Sequence, residues 1–151
     1  MFTIDLEMED GPILAVLQAL HDQVGDMAPA MNEIGMELEG RISARFEVER
    51  DPAGQPWAPW ADSTVKRYPK AGNKRILDRT GEMLRSLNHQ ADRNSVTIGF
   101  GKDYAIYHEY GTDTMKRRGL LTIDPVARLL SPEDEHTVVA ILNRHLQAAL
   151  P

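Results

Sequence analysis

The sequence predicts an α+β fold: a small, mostly antiparallel sheet with a long N-terminal-half helix and a C-terminal helix packed on one face. Residues 2–9 alternate between apolar and polar side chains, which is the period of a half-buried strand. Residues 29–49 carry apolar side chains spaced by three or four, the stripe of an amphipathic helix. Residues 131–150 repeat that spacing behind a strong helix start.

One strand and two helices are predicted in the first third of the chain. The strand ends at Gly11, and Pro12 suits the first position of a helix because the N–H groups of that turn have no intrahelical partner. Gly25 is the predicted stop of this helix. The long helix runs from Pro29 to about Glu49. Its predicted buried stripe is Met31, Ile34 or Gly35, Leu38, Ile42 and Phe46.

A stiff, proline-rich loop follows the long helix over residues 51–60. Its prolines exclude a regular helix or a central strand. The loop then presents both tryptophans of the chain, Trp57 and Trp60. Such large aromatic side chains are buried either in the subunit's own core or against a partner, and the sequence leaves both alternatives open. A tight turn at the start of the loop is predicted from Asp51, Pro52, Gly54 and Pro56.

The middle of the chain mixes weak and clear signals. Asp62 is a candidate cap for a short helix, and the basic stretch that follows, as far as Arg75, is predicted to be partly mobile. Thr80 is the predicted cap of a helix that ends near Leu87. Two short runs at 89–92 and 95–100 predict a hairpin, because apolar and polar side chains alternate in the second run.

The last third begins with a short helix predicted over residues 104–110, capped by Asp103 and stopped by Gly111. A mobile polar loop is predicted at 112–118, a strand at 120–123, and a segment crossing the core at 125–130. Ser131 and Pro132 then suit the cap and the first position of the final helix. The predicted buried face of that helix is Val138, Val139, Ile141, Leu142, Leu146 and Leu150.

Length and composition predict a single domain over residues 1–151 that is soluble and has no signal peptide. The chain has no cysteine, which excludes disulfides and thiolate metal sites. The net charge of −6 is unevenly spread, because residues 1–51 hold twelve acidic and three basic side chains while the remainder is slightly basic. Overall acidity argues against tight nonspecific binding of nucleic acid. The polarised charge favours either contact between copies or two solvated faces.

Few residues suggest catalysis. The best cluster is His108 and Glu109 with Asp113 nearby, but the five histidines lack the paired spacing of a zinc helix, and no cofactor or metal is predicted. Nucleophile elbows and phosphate-binding glycine loops are also missing from the sequence. Tyr104, Tyr107 and Tyr110 recur every third residue. Packing of Tyr104 and Tyr107 beneath the sheet is the favoured alternative, and stacking of the tyrosines, with His108, on a base or a sugar is the other.

Four motifs, taken in order, resemble the phage virion morphogenesis family, the tail-completion proteins of contractile-tailed phages. The first is the proline-tryptophan loop, and the others lie at residues 77–87, 104–112 and 125–130. The structural motif residues are Asp51, Pro52, Gly54, Pro56, Thr80, Gly81, Tyr104, Tyr107, His108, Gly111, Pro125 and Arg128.

This resemblance implies a structural, non-enzymatic protein of the tail or neck of the virion, assembled in the bacterial cytoplasm. It implies tail completion and head–tail joining, a ring-type homo-oligomer, and contacts with tail tube, tail sheath or head-connector proteins. No membrane contact is implied, and contact with DNA is expected only inside an assembled channel. The alternatives are a nucleic-acid-binding module at the neck and a small hydrolase built on His108 and Glu109.

The candidate interface residues are the two tryptophans and the cations of the basic segments. In a head-to-tail ring, the acidic N-terminal half of one subunit is expected to meet the basic segments of the next. The candidates are Trp57, Trp60, Lys66, Arg67, Lys70, Lys74, Arg75, Lys116, Arg117 and Arg118.

Overall fold

The computed structural model describes residues 2–5, 12–67 and 74–150, with side chains from residue 13 onward. Within these ranges the helices are α1 (Pro12–Val24), α2 (Ala28–Val48), α3 (Asp62–Arg67), α4 (Glu82–Arg85), α5 (Ala105–Tyr110) and α6 (Pro132–Ala149). The strands are β1 (Phe2–Asp5), β2 (Leu87–Ala91) and β3 (Val96–Phe100). In this part of the chain no helix has the length and hydropathy needed to cross a membrane.

The sheet is antiparallel, with the strand order β1-β3-β2. The predicted hairpin is confirmed, and β3 pairs with β2 from Leu87 opposite Phe100 to Ala91 opposite Val96. Its turn is built by Asp92, whose Oδ1 accepts hydrogen bonds from the N–H groups of Asn94 and Ser95, each at 2.8 Å. The predicted N-terminal strand is confirmed over Phe2–Asp5, and residues 6–9 of that prediction lie outside the described residues.

Helix α2 covers the sheet and contacts both β2 and β3. Its predicted apolar stripe is confirmed as the buried face, and the start of the helix has the proline expected there. Helix α6 packs against α1 and α2, so α2 contacts the sheet on one side and α6 on another. The predicted α+β class, with a long helix and a C-terminal helix beside a small antiparallel sheet, is therefore confirmed.

Buried charges join α2 to α6. Asp134, in the first turn of α6, accepts hydrogen bonds from Arg45 and from Nε of Arg41, the latter at 2.7 Å. Arg45 also donates to the backbone oxygen of Leu120 at 2.6 Å. The predicted cap of α6 is confirmed, because Oγ of Ser131 accepts from the N–H of Asp134 at 3.1 Å. Asp134 thus locks the start of α6 onto the last turns of α2.

Three local predictions are wrong. Residues 120–123 form no strand, because the N–H groups of Leu120, Leu121 and Thr122 donate to a buried carboxylate instead of a neighbouring strand. Asp103 does not cap α5, which has Tyr104 at that position without a side-chain hydrogen bond. The cap position of α4 is Gly81, one residue after the predicted Thr80, and its left-handed φ of 73° suits glycine. The hydroxyl of Thr80 nevertheless accepts a hydrogen bond from the N–H of Glu82, the first residue of α4, at 3.4 Å.

Candidate functional site

The tight turn of the proline-tryptophan loop forms as the sequence predicts. Gly54 has a left-handed φ of 81° and donates its N–H to the backbone oxygen of Asp51 at 2.9 Å. Oδ1 of Asp51 accepts from the N–H of Gln55 at 2.8 Å. A bridge between Arg50 and Pro56 then directs the chain back toward α2. The turn is therefore held by its own hydrogen bonds, and the tryptophans that follow have a fixed position.

Trp57 belongs to the subunit's own core, which corrects its place among the interface candidates. Its side chain is 4% exposed and meets Phe46 edge to face, with ring centroids 5.2 Å apart. The indole N–H donates to the backbone oxygen of Gly119 at 2.9 Å. Since both the ring and its polar atom are used inside the subunit, Trp57 has no surface left for a partner.

Trp60 lies instead on a groove of about 710 Å³. The groove brings together three of the family-like motifs, because Trp60, Thr80 with Gly81, and Tyr104 with His108 all line it. Lys116 and Arg118 come from the basic loop and complete one side. Residues that are far apart in sequence therefore meet at one concave surface, which we call the motif groove.

Glu109 anchors the chain beside this groove. Its carboxylate is fully buried and accepts hydrogen bonds from the N–H groups of Leu120 (2.6 Å), Leu121 (2.9 Å) and Thr122 (3.0 Å). The hydroxyl of Thr122 and the guanidinium of Arg117 also donate to it. The carboxylate thus supplies the hydrogen-bond acceptors that a neighbouring strand would otherwise supply to the N–H groups of residues 120–122.

His108 has a different environment from Glu109, although the two are adjacent in sequence. The pKa of His108 is lowered to about 4, mainly by burial and then by the charge of Arg118. Its buried Nδ1 has no hydrogen-bond partner among the described residues. Because the oxygens of Glu109 are occupied by backbone donors, they are unsuited to serve His108 as a base or as a metal ligand. In the described ranges no three His, Cys, Asp or Glu side chains form a metal-binding group.

The basic loop is tied to the subunit, which corrects the prediction that residues 112–118 form a mobile flap. Arg117 donates to the backbone oxygen of Glu109 at 2.6 Å and also to that of Thr122. Arg118 donates to the backbone oxygens of Ala58 and Pro59, each at 2.8 Å. Arg117 therefore joins two segments of its own subunit, and Arg118 holds the tryptophan loop beside the motif groove.

The other predicted interface cations have varied positions. Lys66 and Arg67 are exposed on α3, and Lys74 and Lys116 are exposed in loops. Arg75 forms an ion pair with Asp78, at 3.3 Å. Lys70 lies outside the described residues. Of these cations, Lys116 lines the motif groove.

An aromatic surface runs from the motif groove along α5. The prediction that Tyr104 and Tyr107 pack beneath the sheet is wrong, because both are exposed, as is Tyr110. The hydroxyl of Tyr110 donates to the backbone oxygen of Pro125 at 3.3 Å, which joins α5 to the following turn. That turn does not cross the core as predicted, since Val126 at its tip is 84% exposed. We call Tyr104, Ile106, Tyr107, Tyr110, Val126 and Leu129 the aromatic surface.

Some motif residues shape this region through the backbone. Gly111 ends α5 as predicted, and its N–H donates to the oxygen of Tyr107 at 2.8 Å. A side chain at Gly111 would meet the backbone of Arg117 at 3.0 Å. Arg128 takes a left-handed φ of 57° in the exposed turn, where Oδ1 of Asp124 accepts from the N–H groups of Val126 and Ala127. These positions set the course of the chain at the edge of the aromatic surface.

Sequence reasoning missed the structural role of several charged residues. Arg45, Asp134 and Arg117 are held by partners that are distant along the chain or in irregular backbone, so no spacing rule reveals them. One available signal was Arg45 itself, which lies next to Phe46 on the buried side of a helix whose apolar stripe was otherwise clear. An arginine at such a position requires a buried acceptor.

The pH dependence of folding provides a test of the His108 environment. Since the pKa of His108 is lowered from 6.5 to about 4, the folded state binds a proton less readily than the unfolded chain. The contribution of neutral His108 to the free energy of unfolding is complete above pH 6.5 and is lost as the pH falls toward 4. After allowance for the solvent-screened part of the ring, we expect a loss of about 1–2 kcal/mol.

Urea unfolding of the wild type and of His108→Gln at about pH 7 and about pH 4.5 measures this contribution. The wild type is expected to lose more stability than the variant, because the carboxylates that titrate in this range are common to both. Equal losses in the two proteins would show that the folded and unfolded chains protonate His108 alike.

Comparison with known proteins agrees with the motifs that meet at the groove. Residues 8–147 match the phage virion morphogenesis family. No curated protein and no solved structure matches the chain. The chain therefore belongs to the phage virion morphogenesis family, and it is a virion-associated protein with a role in building the phage particle.

Proposed function

We propose that this protein completes the phage tail and prepares it for joining to the head, and that it acts by protein–protein contact and not by catalysis. The single observation that carries the proposal is the aromatic surface beside the motif groove. Exposed aromatic side chains held on a fixed backbone are typical of protein interfaces, because they bury much apolar area at little cost in conformational entropy.

The concentration of apolar side chains supports this function. Six of the eleven large hydrophobic residues exposed in the described chain belong to α5, to its cap residue Tyr104 and to the turn at residues 124–129. The surface is also firmly supported: Glu109 and Arg117 fix the chain on one side, and Tyr110 reaches Pro125 on the other. An exposed patch of this kind on an otherwise well-packed subunit marks an interaction site.

The partners we propose are copies of the chain itself, arranged as a ring, together with tail tube, tail sheath or head-connector proteins. A ring uses two different faces of each subunit, and the unequal charge of the two parts of the sequence suits such a contact. DNA is expected to meet the protein only inside an assembled channel. Arg117 and Arg118, which the sequence suggested for outside contacts, donate instead to backbone oxygens of their own subunit.

A complementation experiment tests this function. In a phage that lacks the gene, we expect electron micrographs of lysates to show heads and tails that are not joined, and wild-type protein supplied in trans to restore joined particles. The double variant Tyr107→Ser/Val126→Ser is expected to fold normally and yet fail to restore them, because it removes two exposed apolar side chains from the aromatic surface.

Val24→Ser serves as the matched control, since Val24 is an exposed apolar residue on α1. It is expected to complement as well as the wild type. Joined, infectious particles in the absence of the gene would contradict the proposed role in head–tail joining. Full complementation by the double variant would contradict the role of the aromatic surface.

A further inference from the structure

We propose that the outer face of α2 in one copy of the chain docks in the motif groove of the next copy, so that subunits join head to tail. This inference rests on the proposed self-assembly and names the two surfaces that carry it. It follows from an apolar, acidic helix face and an apolar, basic groove that occur on the same molecule.

The outer face of α2 is unusually apolar for the exposed side of a helix. Met36, Gly40, Ala44 and Val48 follow one another at intervals of four and are all exposed. Met36 and Val48 are each 60% exposed, whereas the exposed face of such a helix is ordinarily polar. The two central residues are small, and a Cβ added at Gly40 would meet no atom within 4 Å. The middle of this face therefore permits close approach of another surface.

Two acidic side chains flank this apolar line. Glu37 and Glu47 are exposed on α2, and within the described ranges neither forms an ion pair. Two other acids of the same helix already form ion pairs within the subunit. Glu33 contacts Arg144 and His145, and Glu39 contacts His89 at 2.8 Å. Among the described residues neither Glu37 nor Glu47 is held in an ion pair, although the charge of Glu37 also acts on Arg41 of the same helix.

The motif groove has the complementary character. Its apolar lining comes from Trp60, Ile76, Leu77, Met83, Tyr104 and Met115. Arg79, Lys116 and Arg118 also line it, and its acids are Asp62 and Glu82. Glu82 is partly balanced by Lys102 at 3.8 Å. The groove thus has an apolar floor and more cations than acids, although one of the cations, Arg118, is also bound to the tryptophan loop. This character fits a helix whose apolar line is flanked by carboxylates.

A second copy of this chain is the occupant because both halves of the contact lie on one molecule. No residue of α2 lines the groove, so each subunit offers its helix face and its groove at the same time. A contact between two different faces repeats from subunit to subunit and closes into a ring when the rotation allows. Another protein with an acidic amphipathic helix is the competing occupant, and the experiments below distinguish the two.

Cross-linking is a direct test, because the full chain has no cysteine of its own. The double variant Glu47→Cys/Lys116→Cys is treated with a short bismaleimide at a concentration where the protein assembles. We expect a ladder of covalent dimers, trimers and larger species. Each single variant is expected to assemble but to form no covalent dimers, since a head-to-tail contact brings together two different positions. An assembled double variant without a ladder, or dimers from the Glu47→Cys variant alone, would overturn the proposal.

A charge-exchange experiment identifies the pairing. Glu37→Lys/Glu47→Lys makes the helix face basic, and Thr114→Glu/Lys116→Glu makes the groove more acidic. Each variant alone is expected to dissociate at about tenfold or more higher concentration than the wild type, because like charges then face one another. An equal mixture of the two is expected to assemble again, since every contact in an alternating ring has opposite charges.

Asp22→Lys and Arg93→Glu are the matched controls, as both residues are exposed and lie outside the two surfaces. They are expected to assemble like the wild type, and thermal melts confirm that all variants are folded. If the wild type assembles but the mixture does not recover, the pairing is wrong and the proposed function stands. If the wild type never assembles, both the pairing and the proposed self-assembly are wrong.

Discussion

Glu109→Gln is expected to lower the free energy of unfolding by about 3–5 kcal/mol. The substitution keeps the size of the side chain but replaces an acceptor oxygen by an NH₂ group. Both oxygens of Glu109 already accept hydrogen bonds from buried backbone N–H groups at 2.6–3.0 Å. An amide in that position places donor against donor, and it also removes the negative charge next to Arg117.

Urea unfolding followed by circular dichroism measures this loss. Glu82→Gln is the control, because Glu82 is exposed and its nearest ion pair, with Lys102, spans 3.8 Å. The control is expected to change stability by no more than about 0.5 kcal/mol. A Glu109→Gln variant that unfolds at the wild-type urea concentration would show that the backbone of residues 120–122 does not depend on this carboxylate.

Trp57→Ala is expected to cost about 3–5 kcal/mol, because it empties the space beside Phe46 at the end of α2. It also removes the indole N–H that donates to Gly119, so the groove's basic loop loses a tie to the core. Trp57→Phe keeps most of the buried ring area and is expected to cost less than half as much. Thermal melts and urea titrations of the three proteins give the ranking.

The same variant separates a core tryptophan from one that docks a partner. A core role predicts that the isolated subunit is destabilised whether or not it assembles. If Trp57→Ala has the wild-type melting temperature and fails only in assembly, the assignment of Trp57 to the core is wrong. Trp60→Ala is the natural comparison, since Trp60 is only half-buried and lines the motif groove.

Elements with local, repeated signals were predictable from the sequence. The stripe of α2 needs only the spacing of Met31, Ile34 and Leu38, and the start of α6 needs only Ser131 and the proline after it. The hairpin follows from alternation in β3. In each case the residues that decide the structure are neighbours in sequence, so periodicity and capping preferences are sufficient.

The region around α5 was not predictable in this way. Residues 120–123 are an apolar run of the length of a strand, and only the carboxylate of Glu109, eleven to thirteen residues away, explains why their backbone needs no partner strand. Spacing at every third residue placed the tyrosines on one helical face, but spacing does not say whether that face meets the core or the solvent. Their exposure is a property of the tertiary structure.

The candidate site likewise combines features that are visible in the sequence with features that only the fold determines. The motif residues were recognisable in order, yet the sequence gives no hint that Trp60, Gly81 and His108 line one groove. The sequence also does not distinguish Lys116, which is exposed, from Arg117, which donates hydrogen bonds within its own subunit. Charge and residue type are visible in a sequence, whereas the partner of each charge depends on chain crossings that only the fold defines.

Sedimentation velocity of the purified protein, from micromolar to millimolar concentration, is the most direct test of a subunit that works by assembly. We predict a concentration-dependent change from a 16.9 kDa monomer to one closed oligomer of defined mass. Raised salt is expected to weaken that change, because the proposed contact includes opposite charges near the protein surface. A chain that remains monomeric throughout this range, and that also fails to bind purified tails, would contradict the account.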